Sequence, residues 1–589
     1  MPDENSAEIE KRKESVLKFL KEKKDWFVYL ILAFITFVGV WIRTLNIDGL
    51  KDITTNSWTL GPDLDPFLFL RWAKYIVEHG SLMTMDLMRY VPLGYDTAGE
   101  MKLLSYMIVW FYKAISFFSK NIDITYASII FPVFMFGLTT IAFFLFAREI
   151  FYKEKSLIKN LIALFATAFF VVVPSLISRT IAGIPEKESA AFFFIFMAFY
   201  FFMKSYRSEK LRNSLIFAGI SGAFTAGMAL VWGGVDYLFL SIGITFLLAF
   251  ILGKVKTREI GIYSLWIIFS FALMAPFSTR YSPSNLVQSF STGFSIAILF
   301  VTGISIFLMK YDKTKKILEK IKIPREISSL VFSGIILVIF ASIILGPMFI
   351  INQFDKTFHA LIQPQVTRWG LTVAESRQPY FAGEWTSSFG PVVFNIPLFF
   401  WLFFIGSIVL FGYLIEKLTK KEKFLLIAGY TIFLFGLIFS RYDPNSILNG
   451  ENIFSLIIYF GGFLLFAYLA GSVYYKRYKE NNFEIFSEFN FGYLLYFSIL
   501  VLGIIGSRSA VRLIMVLAAV SPVVIAFFVV KSCEKIFKTN QEEMKMLMWL
   551  VAIILVVASL FTLWNYYQVS KASSEAFVPS IYQWQWQKA

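Results

Sequence analysis

Five carboxylates fall in three segments far apart in this chain: Asp63 and Asp65 in GPDLDPFLFLR, Glu186 and Glu188 in RTIAGIPEKES, and Glu375 in LTVAESRQP. Only 16% of the residues are charged, so acids placed beside hydrophobic stretches need a reason. Carboxylates that converge at a membrane surface bind a hard divalent cation through oxygen, and a cation so placed serves a phosphate-bearing substrate. Each site also has a plainer reading. Glu186 and Glu188 follow Pro185 at the mouth of a helix, where acids suit the dipole and cap free N–H groups. Asp63 and Asp65 precede a helix-opening Pro66, a common capping arrangement. Glu375 lies mid-loop with Arg377 nearby, so its plain reading is a surface ion pair worth about 0–1 kcal/mol.

Arg508 and Arg512 in IIGSRSAVRLIMVL are four apart, a spacing that places both on one helical face. Arginine near hydrocarbon is costly and normally has a functional partner; a lipid phosphate would satisfy it with paired hydrogen bonds. Snorkelling to the outer interface is the alternative. His79 and His359 each stand without a second histidine, which argues against zinc.

The elements that position these groups are membrane spans. The chain is 57% hydrophobic with 69 Phe, and apolar runs long enough to cross about 30 Å of hydrocarbon recur along it. The net charge of +15 is scattered through short loops between spans, which is the positive-inside bias and not a basic face for nucleic acid. Cys533 is the single cysteine, so no internal disulfide forms, and its Lys-rich surroundings make it an ordinary cytoplasmic thiol. Residues 1–25 form a charged segment with no small-residue cleavage site, expected to be a cytoplasmic amphipathic helix and not a signal peptide.

Loop charge predicts the topology. Basic loops (Arg148 to Lys159, Lys204 to Arg212, Lys254 to Arg258, and on to Lys531 to Lys545) alternate with loops poor in Lys and Arg at 181–188, 232–236, 278–287, 352–390 and 441–452. This predicts an all-α polytopic membrane domain over 26–567 with about 13–15 transmembrane helices and the N-terminus inside. Asp65 follows the first span, Glu186 the third and Glu375 the ninth, so all three clusters are expected on the outer face. Two outer loops, 45–122 and 352–390, are too long to be simple connectors. Within the first, Leu103–Phe118 is read as a helix on the outer surface; the second is rich in aromatics, including Trp369, Tyr380, Phe381 and Trp385.

In order along the chain, these motifs resemble the catalytic subunit of oligosaccharyltransferase, a GT-C membrane glycosyltransferase that N-glycosylates asparagine. DPFLFLRWAKYIVEHG and RYVPLGYDTAG resemble the family's first outer loop, and RTIAGIPEKESAAF its second acidic motif, with Glu-Lys-Glu where Asp-x-Asp or Asp-x-Glu is usual. VWGGVDYLF, TVAESRQP and SAVRLIMVLAAVSP resemble the later segments, the last being the arginine-bearing span. The resemblance implies that Asp65, Glu186, Glu188 and Glu375 surround Mg2+ or Mn2+, that Asp65 and Glu375 hold the acceptor amide, and that Arg512, with Arg508, holds a lipid-linked phosphate. Asp63 has no clear counterpart in the family. The implied substrates are a polyprenyl-linked oligosaccharide and an acceptor polypeptide, met at the outer face of a cell membrane (the lumenal face in an endoplasmic reticulum). The family continues into an outer domain with a WWDYG motif that grips the Ser or Thr of the acceptor. This sequence has no WWD, and residues 568–589 read as the start of that connection, so the motif is expected in a separate or missing segment. A transporter or lipid flippase remains open, although the acids lie at span ends and no internal repeat is evident. So do a protein O-mannosyltransferase, which would not need TVAESRQP, and a catalytically inactive scaffold.

Overall fold

The computed structural model describes residues 24–52, 55–362, 373–536 and 542–579. Residues 1–23 of the segment 1–25 expected to be an amphipathic helix, Trp369 and the connecting residues Ser580 to Ala589 lie outside them, and residues 24–25 open α1. Helix α1 (Lys24–Ile42) is followed by a long connecting segment containing α2 (Asp65–His79), the hairpin β1 (Met85–Asp86) and β2 (Tyr95–Asp96), and α3 (Leu103–Ser116). Next come α4 (Ile124–Ile150), α5 (Ser156–Val172), the single turn α6 (Ile177–Thr180), α7 (Lys187–Arg207), α8 (Leu211–Val231), α9 (Asp236–Ile251) and α10 (Thr257–Met274). They lead into α11 (Pro283–Gln288), α12 (Phe290–Lys310), α13 (Asp312–Lys320), α14 (Arg325–Leu345) and α15 (Pro347–Ile362). A second hairpin, β3 (Val392–Val393) with β4 (Ile396–Pro397), precedes α16 (Leu398–Leu414), α17 (Lys420–Phe439), α18 (Ile453–Lys479), α19 (Phe491–Ser509), α20 (Ile514–Ile536) and α21 (Glu542–Ala576).

Among the described residues, 13 helices are long and apolar enough to span a membrane, and the bent pair α5–α6 makes a fourteenth. α16 is strongly apolar and 17 residues long, at the lower end of the lengths that cross the hydrocarbon. The chain is an all-α, multi-pass membrane protein. Large apolar residues such as Ile335 and Ile343 of α14 stay exposed because hydrocarbon, not water, is their solvent. Two sequence expectations change in detail. The segment 352–390 is not a loop throughout, because α15 continues to Ile362. The third span is not one straight helix. Pro174 donates no backbone N–H and Val173 is extended (φ −60°, ψ 117°), so the helix breaks there and bends by 60°.

Local chemistry sets the other ends. Asp123 caps α4 by accepting from the Tyr126 N–H at 2.9 Å, and Thr419 and Glu422 close a capping box on α17. The core is largely stacked phenylalanine. Phe143 of α4 lies 4.3 Å from Phe170 of α5 and 5.1 Å from Phe196 of α7, joining the three helices that carry the acidic corner.

The segment between α1 and α4 is anchored by one buried acid. Asp86, 1% exposed, accepts from the Arg71 guanidinium at 2.9 and 2.5 Å and from Trp72 Nε1 at 3.0 Å. Burial alone would raise its pKa, but the bonds from Arg71 and Trp72 outweigh that and hold it below the usual carboxylate range. A depressed acid stabilises the fold fully above its unfolded pKa and loses that contribution as pH falls through its folded value. Asp86→Ala is therefore expected to cost this segment about 2–3 kcal/mol at neutral pH, read as lost amide-exchange protection over residues 82–98. Wild-type protection there should fail only in acid below the normal carboxylate range.

Candidate active site

Two backbone pins bring the first acidic segment to the second. The Gly61 N–H donates to Gly183 O at 2.9 Å, and the Asn46 side chain donates to Ala182 O at 2.9 Å. Gly183 has φ +84°, and a Cβ there would lie 2.7 Å from Leu50 and 2.9 Å from Gly61 N, so only glycine permits the crossing. The fully buried Arg43, just past the end of α1, donates to Thr180 Oγ1 at 2.7 Å and Val171 O at 3.0 Å, fastening both sides of the α5–α6 break. The third segment docks elsewhere on the same rim: the Val511 N–H donates to Arg377 O at 3.0 Å.

The break turns Arg179 into the middle of the acids. Its Nη1 meets Glu186 at 2.5 Å and Asp63 at 3.5 Å, and its Nη2 meets Glu375 at 2.8 and 3.0 Å. One guanidinium thus bridges all three acidic segments. The plain readings hold in part: Glu188 lies in the first turn of α7, where an acid suits the helix dipole, and Glu375 makes an exposed ion pair, with Arg179. Glu186 stands at the N-cap of α7 but makes no capping bond, and Arg377 pairs with Glu384 instead of Glu375. Asp65 makes no hydrogen bond or ion pair among the described residues. Glu186 is 2% exposed, and its Oε1 is buried with no hydrogen-bond partner among the described residues. Burial, opposed by Arg179 and reinforced by Glu188 and Asp63, pushes its carboxyl up to about 8.

Asp65, Arg179, Glu186, Glu188, Glu375 and Arg512 all line one cavity of about 790 Å³. Arg512 lies close enough to Glu188 for its charge to act on that carboxylate. Asp63 joins the cluster through Arg179 and does not line the cavity. The expectation that Arg508 and Arg512 share a helical face is wrong. α19 ends at Ser509 and Ala510 is extended (φ −153°, ψ 141°), so Arg512 sits on a separate 3₁₀ turn, Val511–Leu513. Arg508 points away into protein, 4.2 Å over the Tyr459 ring and 3.2 Å from Ser440 Oγ. The cavity also has an apolar lining of Leu240, Leu502, Ile505, Ile514 and Met515.

Among the described residues no three carboxylates close on one point as a ready-made metal cage. The donor chemistry nonetheless fits a hard divalent cation. Every side-chain donor in the cluster is a carboxylate oxygen, the acids outnumber the bases, and Glu186 Oε1 is buried without a partner. Sequence reasoning missed Arg179. The residue stands seven before Glu186, but nothing in a linear reading says that the intervening span breaks and delivers it to the acids.

A family model described as "Oligosaccharyl transferase STT3, N-terminal" matches residues 30–383. The STT3 subunit of the dolichyl-diphosphooligosaccharide–protein glycosyltransferase of Saccharomyces cerevisiae is 23% identical over 388 residues, which cover 63% of this chain and 49% of that one. The Dictyostelium discoideum STT3 subunit is 24% identical over 392 residues, 64% of this chain and 50% of that one. The chain thus spans about half the length of the curated relatives it matches. Among solved structures, the archaeal oligosaccharyltransferase AglB from Archaeoglobus fulgidus, in complex with an inhibitory peptide and a dolichol-phosphate, superposes with a TM-score of 0.64 at 16% identity. That likeness covers 95% of this chain and 57% of AglB. The Archaeoglobus fulgidus oligosaccharyltransferase in complex with zinc and sulfate superposes with a TM-score of 0.53 at 16% identity, covering 94% of this chain and 54% of that one.

Proposed function

Because the chain belongs to the oligosaccharyl transferase STT3 family, we propose that it transfers a glycan from a polyprenyl phosphate or pyrophosphate carrier to the asparagine of Asn-x-Ser/Thr acceptors, at the outer face of the membrane. The observation that carries this reading is the gathering of Asp65, Glu186, Glu188, Glu375 and Arg512 around one cavity with an apolar wall. An asparagine amide nitrogen is a poor nucleophile because its lone pair is delocalised into the carbonyl. Asp65 and Glu375 accept hydrogen bonds from the amide NH2, holding it in place and localising its lone pair on nitrogen; as the bond from nitrogen to the sugar forms and the sugar–phosphate bond breaks, one of these carboxylates takes the amide proton. Arg512 donates to the carrier phosphate and stabilises the charge that develops as it leaves. The apolar wall takes the first isoprene units of the carrier. Asp65, Glu186 and Glu188, with Glu375, are the residues that would hold Mg2+ or Mn2+; when bound, such an ion supplies Lewis-acid neutralisation of the leaving phosphate. Arg179 positions the carboxylates, and a WWDYG-bearing segment would supply recognition of the acceptor hydroxyl.

The test is transfer by the protein in lipid nanodiscs from a polyprenyl-linked glycan to an Asn-x-Thr peptide, with the product located by mass spectrometry. The expected result is an asparagine-linked product with Mg2+ or Mn2+, none in EDTA, and recovery when either ion is restored. Full turnover in EDTA would remove the cation from the reading. Modification of the threonine hydroxyl would replace it with an O-glycosyltransferase.

A further inference from the structure

The last helix, α21, has two unlike faces. Ile553, Phe561 and Trp564 on one side are exposed, as hydrocarbon-facing residues are. The other side buries a stripe of hydroxyls, Ser559, Thr562, Tyr566, Ser570 and Ser574, at the three- and four-residue spacing that keeps them in line. Hydrocarbon does not drive one helix against another, so hydrogen bonds between elements help to set the register of such a contact. Three bonds tie α21 and its end to the three acidic segments. Ser570 Oγ donates to Val172 O at 2.9 Å, at the break that turns Arg179 toward the acids. The Tyr566 hydroxyl donates to Ser388 O at 3.3 Å; Ser388 lines the cavity and lies on the same stretch of chain as Glu375. Just past the helix, Phe577 O accepts from Asn46 Nδ2 at 3.0 Å, the nitrogen that also donates to Ala182 O. Asn46 is 1% exposed and stands on the segment that leads to Asp63 and Asp65. The Phe577 ring comes within 3.4 Å of where a Cβ at Gly61 would stand, and Val578 Cγ1 within 2.4 Å of one at Gly49.

We propose that α21 is the strap that fixes the spacing of the three acidic segments, with Tyr566, Ser570 and, through the Phe577 carbonyl, Asn46 as positioning residues for the transfer. This rests on the reading that the carboxylates of those segments carry the reaction. None of the three positioning residues lines the cavity; each acts through the backbone of a segment that does. Asp65, Glu186 and Glu375 come from separate stretches of chain, and a reaction centre assembled in that way is sensitive to displacements of about 1 Å. A helix bonded to all three stretches limits how far any one can drift from the other two. Gly49 is where the strap can be displaced without removing a hydrogen-bonding group. Its backbone is a 3₁₀ turn outside the left-handed region, so an alanine there meets no backbone strain and only Val578 in its way.

The experiment compares wild type, Gly49→Ala, Val578→Ala, those two together, and Tyr566→Phe combined with Ser570→Ala, all in nanodiscs. The readouts are amide exchange and transfer from a polyprenyl-linked glycan to an Asn-x-Thr peptide. In Gly49→Ala the added methyl pushes Val578, and with it the Phe577 carbonyl, away from Asn46. The amides of Gly61 and residues 182–186 are then expected to exchange about tenfold faster, with kcat down about tenfold and KM for the donor within about twofold of wild type. Removing the clash in the Gly49→Ala/Val578→Ala pair should return both readouts to the level of Val578→Ala alone. The Tyr566→Phe/Ser570→Ala pair should give the same split between kcat and KM, with the faster exchange at residues 386–389. Amides of α8 and α10 should keep wild-type protection in every variant, which shows that the bundle is intact. Unchanged exchange at the acidic segments in both Gly49→Ala and the hydroxyl pair would overturn the strap. So would a loss in Gly49→Ala that Val578→Ala fails to relieve, or faster exchange spread over the whole bundle. Faster exchange at the acidic segments with unchanged kcat would leave the strap standing and overturn the reading that these carboxylates carry the reaction. Absence of transfer by wild type would do the same, and the exchange pattern would then decide the strap.

Discussion

Glu375→Gln is expected to lower transfer about 10²–10³-fold while leaving binding of the lipid-linked donor nearly intact, the usual cost of losing one oriented catalytic hydrogen bond. The carboxylate is well exposed, with a side-chain exposure of 56%, and Arg179 links it to Glu186 and Asp63. A glutamine in its place keeps the size and one acceptor but loses the charge that pairs with Arg179 and draws on the acceptor amide. Such a loss falls on kcat more than on donor affinity, because the interaction is made with the reacting nitrogen. Near-normal transfer by Glu375→Gln would reduce this segment to a structural cover. An equal loss of donor affinity would move Glu375 from the acceptor side to the donor side.

Arg179→Met is expected to cost transfer about 10²-fold or more, while Arg179→Lys keeps part of the activity, since a point charge replaces the fork but cannot span three segments at once. The side chain bridges Asp63, Glu186 and Glu375, so its loss leaves Glu186 buried beside other carboxylates without its counter-charge. A second readout separates positioning from mere support of the fold. With the guanidinium gone, the acids lack a shared cation, so Mn2+ measured by electron paramagnetic resonance should bind Arg179→Met more tightly than wild type even as transfer falls. A fall in Mn2+ affinity together with activity would mean that Arg179 simply holds the fold together.

Much of this protein was legible in its sequence because the membrane imposes a strict rule on composition. Backbone polar groups in hydrocarbon must bond within their own helix, so apolar runs of fixed length identify the spans, and the charge of the intervening loops orders them. The residue types of the site were legible for a related reason: carboxylates are rare in such a chain, and Asp65, Glu186, Glu188 and Glu375 stand beside its spans in motifs that follow one another in order, although each also had a plainer reading as a cap or an ion pair. What the linear chain does not carry is where backbone direction changes. Arg508 and Arg512 look like neighbours at helical spacing, yet one extended residue, Ala510, sends Arg512 to the cavity and leaves Arg508 stacked on Tyr459. Arg179 looks like the end of an ordinary span, yet Pro174 breaks that span and carries the guanidinium to Glu375, 196 residues away. Span count and residue type are local properties, set by the solvent around each segment. The partners of a charge depend on which segments pack together and on where helices break, and in this protein only the tertiary structure decided both.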